Sequence, residues 1–263
     1  MVALAVAMTL PFAWMLVTSL HPSQGALPDP SHLIPDRWHW ENYRTVIQMP
    51  DTPFLRFLLN TVIVCAGVVL GSLLLNSMAA FGFARTGFPG RDLLFYLFLA
   101  TMMVPGAVTM IPAFLIVRSF GWLDTYWALV VPGLAGAFGI FLLRQFFLTL
   151  PKELDDAVRI DGGNDWTLYW RVTLPLSGPA LATLAAFTFI GTWTDFFGPL
   201  IYTSSTQMRT LEVGLSVFKD SFGGTNWPLQ MTAAVIVLVP CLLIFLLTQR
   251  YFVKGISMTG LKG

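Results

Sequence analysis

The sequence predicts an all-α polytopic membrane protein with six transmembrane helices. Three observations carry this. Hydrophobic residues make up 56% of the 263 residues and charged residues 11%, against about 25% charged in soluble domains. Mean hydropathy is +0.70. The apolar residues also gather into six runs, each near the ~20 residues that a spanning helix needs. With so little charge a water-facing surface cannot be covered, so lipid is the solvent for much of the chain. Helices are the expected form, because backbone groups in lipid must be satisfied within the segment. The runs do not alternate as the ~10-residue strands of a membrane barrel would.

The first run is 2–20. It resembles a signal peptide in its apolar stretch and in the Pro22-Ser23-Gln24-Gly25-Ala26 that follows, but no basic segment precedes it. It is therefore read as a retained span, with room for a short basic segment ahead of Met1. In the loop 21–57, Trp38, Trp40 and Tyr43 read as interfacial aromatics, and Trp40-Glu41-Asn42-Tyr43 as part of a short surface helix. The second run, 58–84, holds Gly67 and Gly71 in a GxxxG spacing that permits close helix approach, with Ser72, Asn76 and Ser77 nearby. The third, 93–117, carries Pro105 and Pro112. The fourth, 127–148, carries Pro132, and the sixth, 231–252, carries Pro240. Each proline is either a packing irregularity or a point of bending. The fifth run, 177–202, contains Trp193 and Asp195.

Charge placement sets the expected topology. Of the fifteen Lys and Arg residues, nine fall on one side of the six runs and six on the other. The nine, among them Arg85, Arg91, Arg144, Lys152 and Arg250, cluster at span ends. By the positive-inside rule both termini are expected in the cytoplasm. The net charge of +1 gives no argument for nucleic acid. Cys65 and Cys241 lie inside apolar runs and read as small buried residues. His21, His32 and His39 share one polar loop without metal-site spacing, so no metal site is expected.

The exceptional segment is 149–176. It holds Glu153, Asp155, Asp156, Asp161 and Asp165, five of the fourteen acids. Pro151 suits a helix start, and Glu153 and Asp155 complement the dipole in the first turn. Leu154, Ala157, Val158 and Asp161 recur on one face. Asp155 and Arg159 are spaced as an i, i+4 ion pair on the other side. Gly162 and Gly163 provide the stop, with Gly162 at a position that favours positive φ. At about ten residues the helix cannot cross a bilayer. It could lie on the membrane, pack on its own span ends, or dock into a groove of another protein. Its acids disfavour an anionic lipid surface.

Glu153-Leu154-x-Asp156-Ala157-Val158-x-Ile160-Asp161-Gly162, followed by Leu174-Pro175-Leu176-x-x-Pro179, resembles the EAA motif of ABC importer permeases. Met103-Val104-Pro105, Ile111-Pro112, Phe120-Gly121-Trp122-Leu123-Asp124-Thr125, Trp193-Thr194-Asp195 and Lys262-Gly263 are similar, in order, to the maltose-type carbohydrate branch. The resemblance covers nearly the whole chain. It implies that 149–176 carries a cytoplasmic coupling helix between spans four and five, seated in a cleft of an ATPase subunit. Glu153, Asp156, Ala157, Val158, Ile160, Asp161, Gly162 and Pro175 are then the coupling-loop residues. The implied partners are a second permease, an ATP-binding cassette dimer, an extracytoplasmic solute-binding protein and a sugar. The implied location is the bacterial or archaeal inner membrane. ATP and magnesium belong to the partner ATPase, and no cofactor to this chain. The tail 253–263 is expected either to touch the ATPase or to end freely. Three departures stand out. The triplet reads Asp156-Ala157-Val158 where the family has Glu-Ala-Ala, Gly163 stands where the family has alanine, and Thr194 replaces an asparagine.

An ionisable group inside a span usually faces a cavity or a partner. Asp195, with Trp193, is thus a candidate for the translocation path or for a structural hydrogen bond. Asn76 invites the same two readings. Two rival functions fare poorly. An ion-coupled transporter needs ionisable groups near the midplane, and few exist. An intramembrane enzyme needs a nucleophile–base or metal constellation, and neither HExxH nor GxSxG occurs. The phosphate loop GxxxxGK[ST] is also absent, so this chain does not bind ATP by itself.

Overall fold

Every regular element among the described residues is a helix. The structure is a computed structural model. It describes residues 2–23, 34–49, 52–218 and 226–259, and the side chains of 4–23, 34–49, 52–216 and 226–249. His32 and residues 260–263 lie outside that set, as do the side chains of the tail.

Two helices are long and apolar enough to cross a bilayer unaided: Phe54–Arg85, with 32 residues, and Trp227–Gln249, with 23. Three bent pairs meet the same measure when each is counted as one span, for up to five. The first apolar run forms the 18-residue helix Val2–Ser19. The expected third span is not straight. Arg91–Met103 and Gly106–Ser119 meet at 103°. The cause is local, since Val104 precedes Pro105 and adopts an extended ψ of 117°, as residues before proline do. The fourth bends by 41° between Tyr126–Gly133 and Ala137–Thr149, close to Pro132. Pro112 and Pro240 sit inside unbroken helices. Position within the run therefore decides which prolines bend the chain. The expected fifth span is a helix Gly178–Trp193, a break, and a second helix Phe197–Tyr202.

The chain packs as two units: Met1–Val62 with Asp195–Leu243, and Ile63–Thr194 with Ile244–Gly263. The first is knitted by buried polar side chains that complete helix ends. Asn42 donates to the Ser19 and His21 carbonyls, each at 2.8 Å. Asn60 donates to the Gln207 and Arg209 carbonyls, again at 2.8 Å. Thr61 Oγ1 accepts from the Leu211 amide at 2.9 Å. Free backbone groups away from water are costly, and these bonds remove that cost. The short helix foreseen near Trp40 is Glu41–Gln48. The Glu41 carboxyl is held below the ordinary range by its backbone amide and by His39.

The second unit has a continuous apolar core that includes Phe81, Phe95, Leu143, Phe147, Tyr169 and Leu184. Small residues let its helices meet. A Cβ on Gly71 would run into the Leu134 side chain, and one on Gly67 would lie 3.1 Å from Val130. The GxxxG spacing thus faces the helices after Tyr126, as close approach requires.

Candidate functional site

The helix Glu153–Ile160 begins with three acids in its first turn, where the dipole stabilises them. It ends in a two-bond glycine cap. The Gly162 amide donates to the Arg159 carbonyl at 3.1 Å, and the Gly163 amide to the Val158 carbonyl at 2.8 Å. Gly162 has φ +76°, so the positive φ expected there is present. Asn164 then caps the next helix, accepting from the Thr167 amide at 3.0 Å.

The faces of this helix differ from the expected division. Leu154, Asp155 and Val158 turn inward and are half-buried, while Glu153, Asp156, Ala157, Ile160, Asp161 and Gly162 are exposed. Ile160 is 85% exposed, an unusual position for an aliphatic side chain beside five acids. The expected Asp155–Arg159 pair does not form. Asp155 instead takes two hydrogen bonds from Arg85 Nη1, at 2.9 and 3.0 Å, and Arg159 reaches Asp165 at 3.5 Å. A charge-assisted contact in a partly buried site, with both carboxylate oxygens on one guanidinium nitrogen, outcompetes a solvated i, i+4 pair.

Arg85 is the residue that sequence reasoning missed. It counted as one basic charge at a span end. Its other terminal nitrogen donates to the carbonyls of Phe147 at 2.6 Å and Leu150 at 2.7 Å. These belong to the end of helix Ala137–Thr149, where carbonyls lack helical partners. Arg144, on that same helix, returns a bond to the Phe83 carbonyl at 3.2 Å and lies 4.0 Å from the centre of the Phe95 ring. Two helix ends are thereby clasped reciprocally by arginines. The only signal in the sequence was basic residues near the ends of apolar runs.

Further along the loop, Tyr169 is 2% exposed, and its hydroxyl lies 2.7 Å from Ser77 Oγ. The stretch Tyr169–Thr173 is a π-helix that runs into Leu174–Leu176. Pro175 explains it. Its ring would clash with the Arg171 carbonyl in an α-helix and offers that carbonyl no N–H, so the turn widens.

The three candidate path residues have different surroundings. Asn76 is buried and donates to the Ser72 carbonyl and Oγ. It also accepts from the Gly136 amide at 3.0 Å, at the start of Ala137–Thr149. Trp193 is buried and stacks on Phe189, with ring centres 5.3 Å apart. Asp195 stands in the break after Trp193, is exposed, and accepts from the Gly198 amide at 3.2 Å.

Comparison with known proteins places this geometry. Residues 59–258 match the family described as the inner membrane component of binding-protein-dependent transport systems. The chain is 35% identical over 204 residues to the arabinooligosaccharides transport system permease protein AraQ of Halalkalibacterium halodurans, covering 78% of this chain and 73% of that one. It is also 35% identical over 246 residues to the sn-glycerol-3-phosphate transport system permease protein UgpE of Yersinia pestis, covering 92% and 87%. Among solved structures, a bacterial ABC transporter involved in the import of the acidic polysaccharide alginate superposes with a TM-score of 0.85. The match covers 95% of this chain and 92% of that one at 22% identity, so it speaks for the fold. The chain belongs to the family of binding-protein-dependent transport system inner membrane components, the permease subunits of ABC transporters.

Proposed function

We propose that this chain is one permease subunit of an ATP-driven importer for a sugar or oligosaccharide. It crosses the membrane six times with both termini in the cytoplasm: Val2–Ser19 is the first span, the bent stretches Arg91–Ser119 and Tyr126–Thr149 are the third and fourth, and Gly178–Tyr202 is the fifth, with Asp165–Leu176 left in the cytoplasmic loop. A second permease completes the translocation path, an ATP-binding cassette dimer lies below, and an extracytoplasmic solute-binding protein delivers the sugar above. ATP and magnesium are held by the cassette subunits. The name of one relative supports sugar as cargo, arabinooligosaccharides, and that of the other a small polyol phosphate, sn-glycerol-3-phosphate.

The observation that carries the reading is the outward face of Glu153–Ile160. Ile160 and Ala157 offer a small apolar patch bordered by Glu153, Asp156 and Asp161. A short helix of this kind fits a groove, with apolar anchors and an acidic rim. Pro151 at one end and Gly162 at the other confine it to about two turns. Closure of the cassette dimer moves loop 149–176, and the spans change access from one side to the other by rigid-body motion. Asp195, exposed at the break in the fifth span, is the acceptor placed to meet sugar hydroxyls in the path. Trp193 is buried against Phe189 at the end of its helix, and Asn76 holds the start of Ala137–Thr149.

Co-purification from native membranes tests this. Wild-type chain should bring down an ATPase and a second permease. Ile160→Lys, at an exposed position where folding is unaffected, should lose the ATPase and keep the second permease. A wild-type chain that purifies alone in mild detergent would refute the importer reading.

A further inference from the structure

Loop 149–176 joins helix Ala137–Thr149 to helix Gly178–Trp193, and its apolar side chains share a core with both, yet its two polar side-chain attachments lead to a third helix. Asp155 binds Arg85 through both carboxylate oxygens, and Tyr169 binds Ser77. Both partners lie on Phe54–Arg85. They are eight residues apart, or about 12 Å along a helix axis. One attachment would let the loop pivot on the helix, whereas two at that spacing fix its direction. Both are built to hold. The Arg85 and Asp155 side chains are only 5% and 19% exposed, and Tyr169 sits in the apolar core, where edge contacts with Phe81 and Trp166 lock its ring. The same helix lies close against the chain after Tyr126 at Gly67 and Gly71, where an added side chain would press on Val130 and Leu134.

We propose that Arg85 and Tyr169 are positioning residues that carry the movement of the coupling loop directly into helix Phe54–Arg85, so that this helix and the loop move as one body. The inference rests on the proposed function and adds the route by which the stroke enters the membrane. Close packing makes such a body move whole, with little internal deformation.

The test uses the full complex in nanodiscs with Cys65 and Cys241 replaced by serine. Spin labels go on Arg159→Cys in the loop and Leu70→Cys on the helix, both exposed. The label-to-label distance is read without nucleotide and with ATP trapped by vanadate. In the otherwise wild-type complex the distance should stay the same. In Tyr169→Phe, which keeps the ring in the core, and in Arg85→Met, the nucleotide should shift or broaden it. Asp155→Asn, which leaves Arg85 in place, should act in the same direction as Arg85→Met. A nucleotide-dependent shift already present without these substitutions would overturn the proposal, as would variants that leave the distance fixed. A complex that captures no ATPase refutes the importer reading itself, a result seen before any label is added.

Discussion

At the residue scale, the two departures of the loop from its family pattern compensate one another. A Cβ on Gly163 would lie 2.6 Å from Val158 Cγ1 and 2.9 Å from the Val158 carbonyl. The family resemblance implies alanine at both positions; here one residue is larger and the other smaller, and the glycine makes room for part of the added bulk of the valine. Gly163→Ala should therefore destabilise the chain by about 1–3 kcal/mol, the usual cost of overpacking. Val158→Ala in the same chain should recover part of that loss, the backbone contact remaining. Thermal unfolding in detergent of both single variants and the double variant measures the coupling. Strictly additive effects would show that the two sites do not share a volume. Arg85 teaches a related point. Its charge was visible in the sequence, but its acceptors, on the three residues Asp155, Phe147 and Leu150, come from distant stretches.

At the element scale, glycines on one helix have unequal roles. Gly71 faces the Leu134 side chain, while nothing lies within 4 Å of a Cβ on Gly82. Gly71→Ala should cost about 0.5–1.5 kcal/mol by pushing the Leu134 side chain off its rotamer. Gly82→Ala should leave stability unchanged or raise it by up to about 1 kcal/mol, because alanine favours helix. Melting temperatures of the two variants in one detergent decide this, and equal effects would contradict the packing seen at Gly71. Prolines divide in the same way. Pro105 begins a new helix after an extended Val104, whereas Pro112 and Pro240 are absorbed within a helix. Extended backbone on the N-terminal side of the ring, and not proline alone, makes the turn.

At the scale of the whole molecule, the charge census predicts topology. Asp36 and Asp161 are both exposed, and the proposed six-span topology puts their loops on opposite sides of the membrane. In a chain free of native cysteines, Asp36→Cys should react with a membrane-impermeant maleimide added to intact cells. Asp161→Cys should react only after the membrane is opened. The reverse pattern would invert the assignment of both termini. The two packed units differ in how they hold together. The first relies on buried polar side chains at helix ends, and the second on an apolar core with glycine contacts. Both devices are expected where lipid removes most of the hydrophobic drive between helices.

The sequence by itself determined the helical membrane class, where the apolar runs lie, the cap at Gly162 and the acid-rich helix between the fourth and fifth runs. These follow from local quantities: mean hydropathy, the 3.6-residue repeat and the backbone freedom of glycine. Only the tertiary structure decided that Asp155 pairs with Arg85 and not with Arg159, that Ile160 points outward, and that Tyr169 reaches Ser77. Ion pairs and hydrogen bonds choose among all acceptors within reach, and burial strengthens the winner. Which acceptors come within reach depends on how helices far apart in the chain pack, and no local pattern records that.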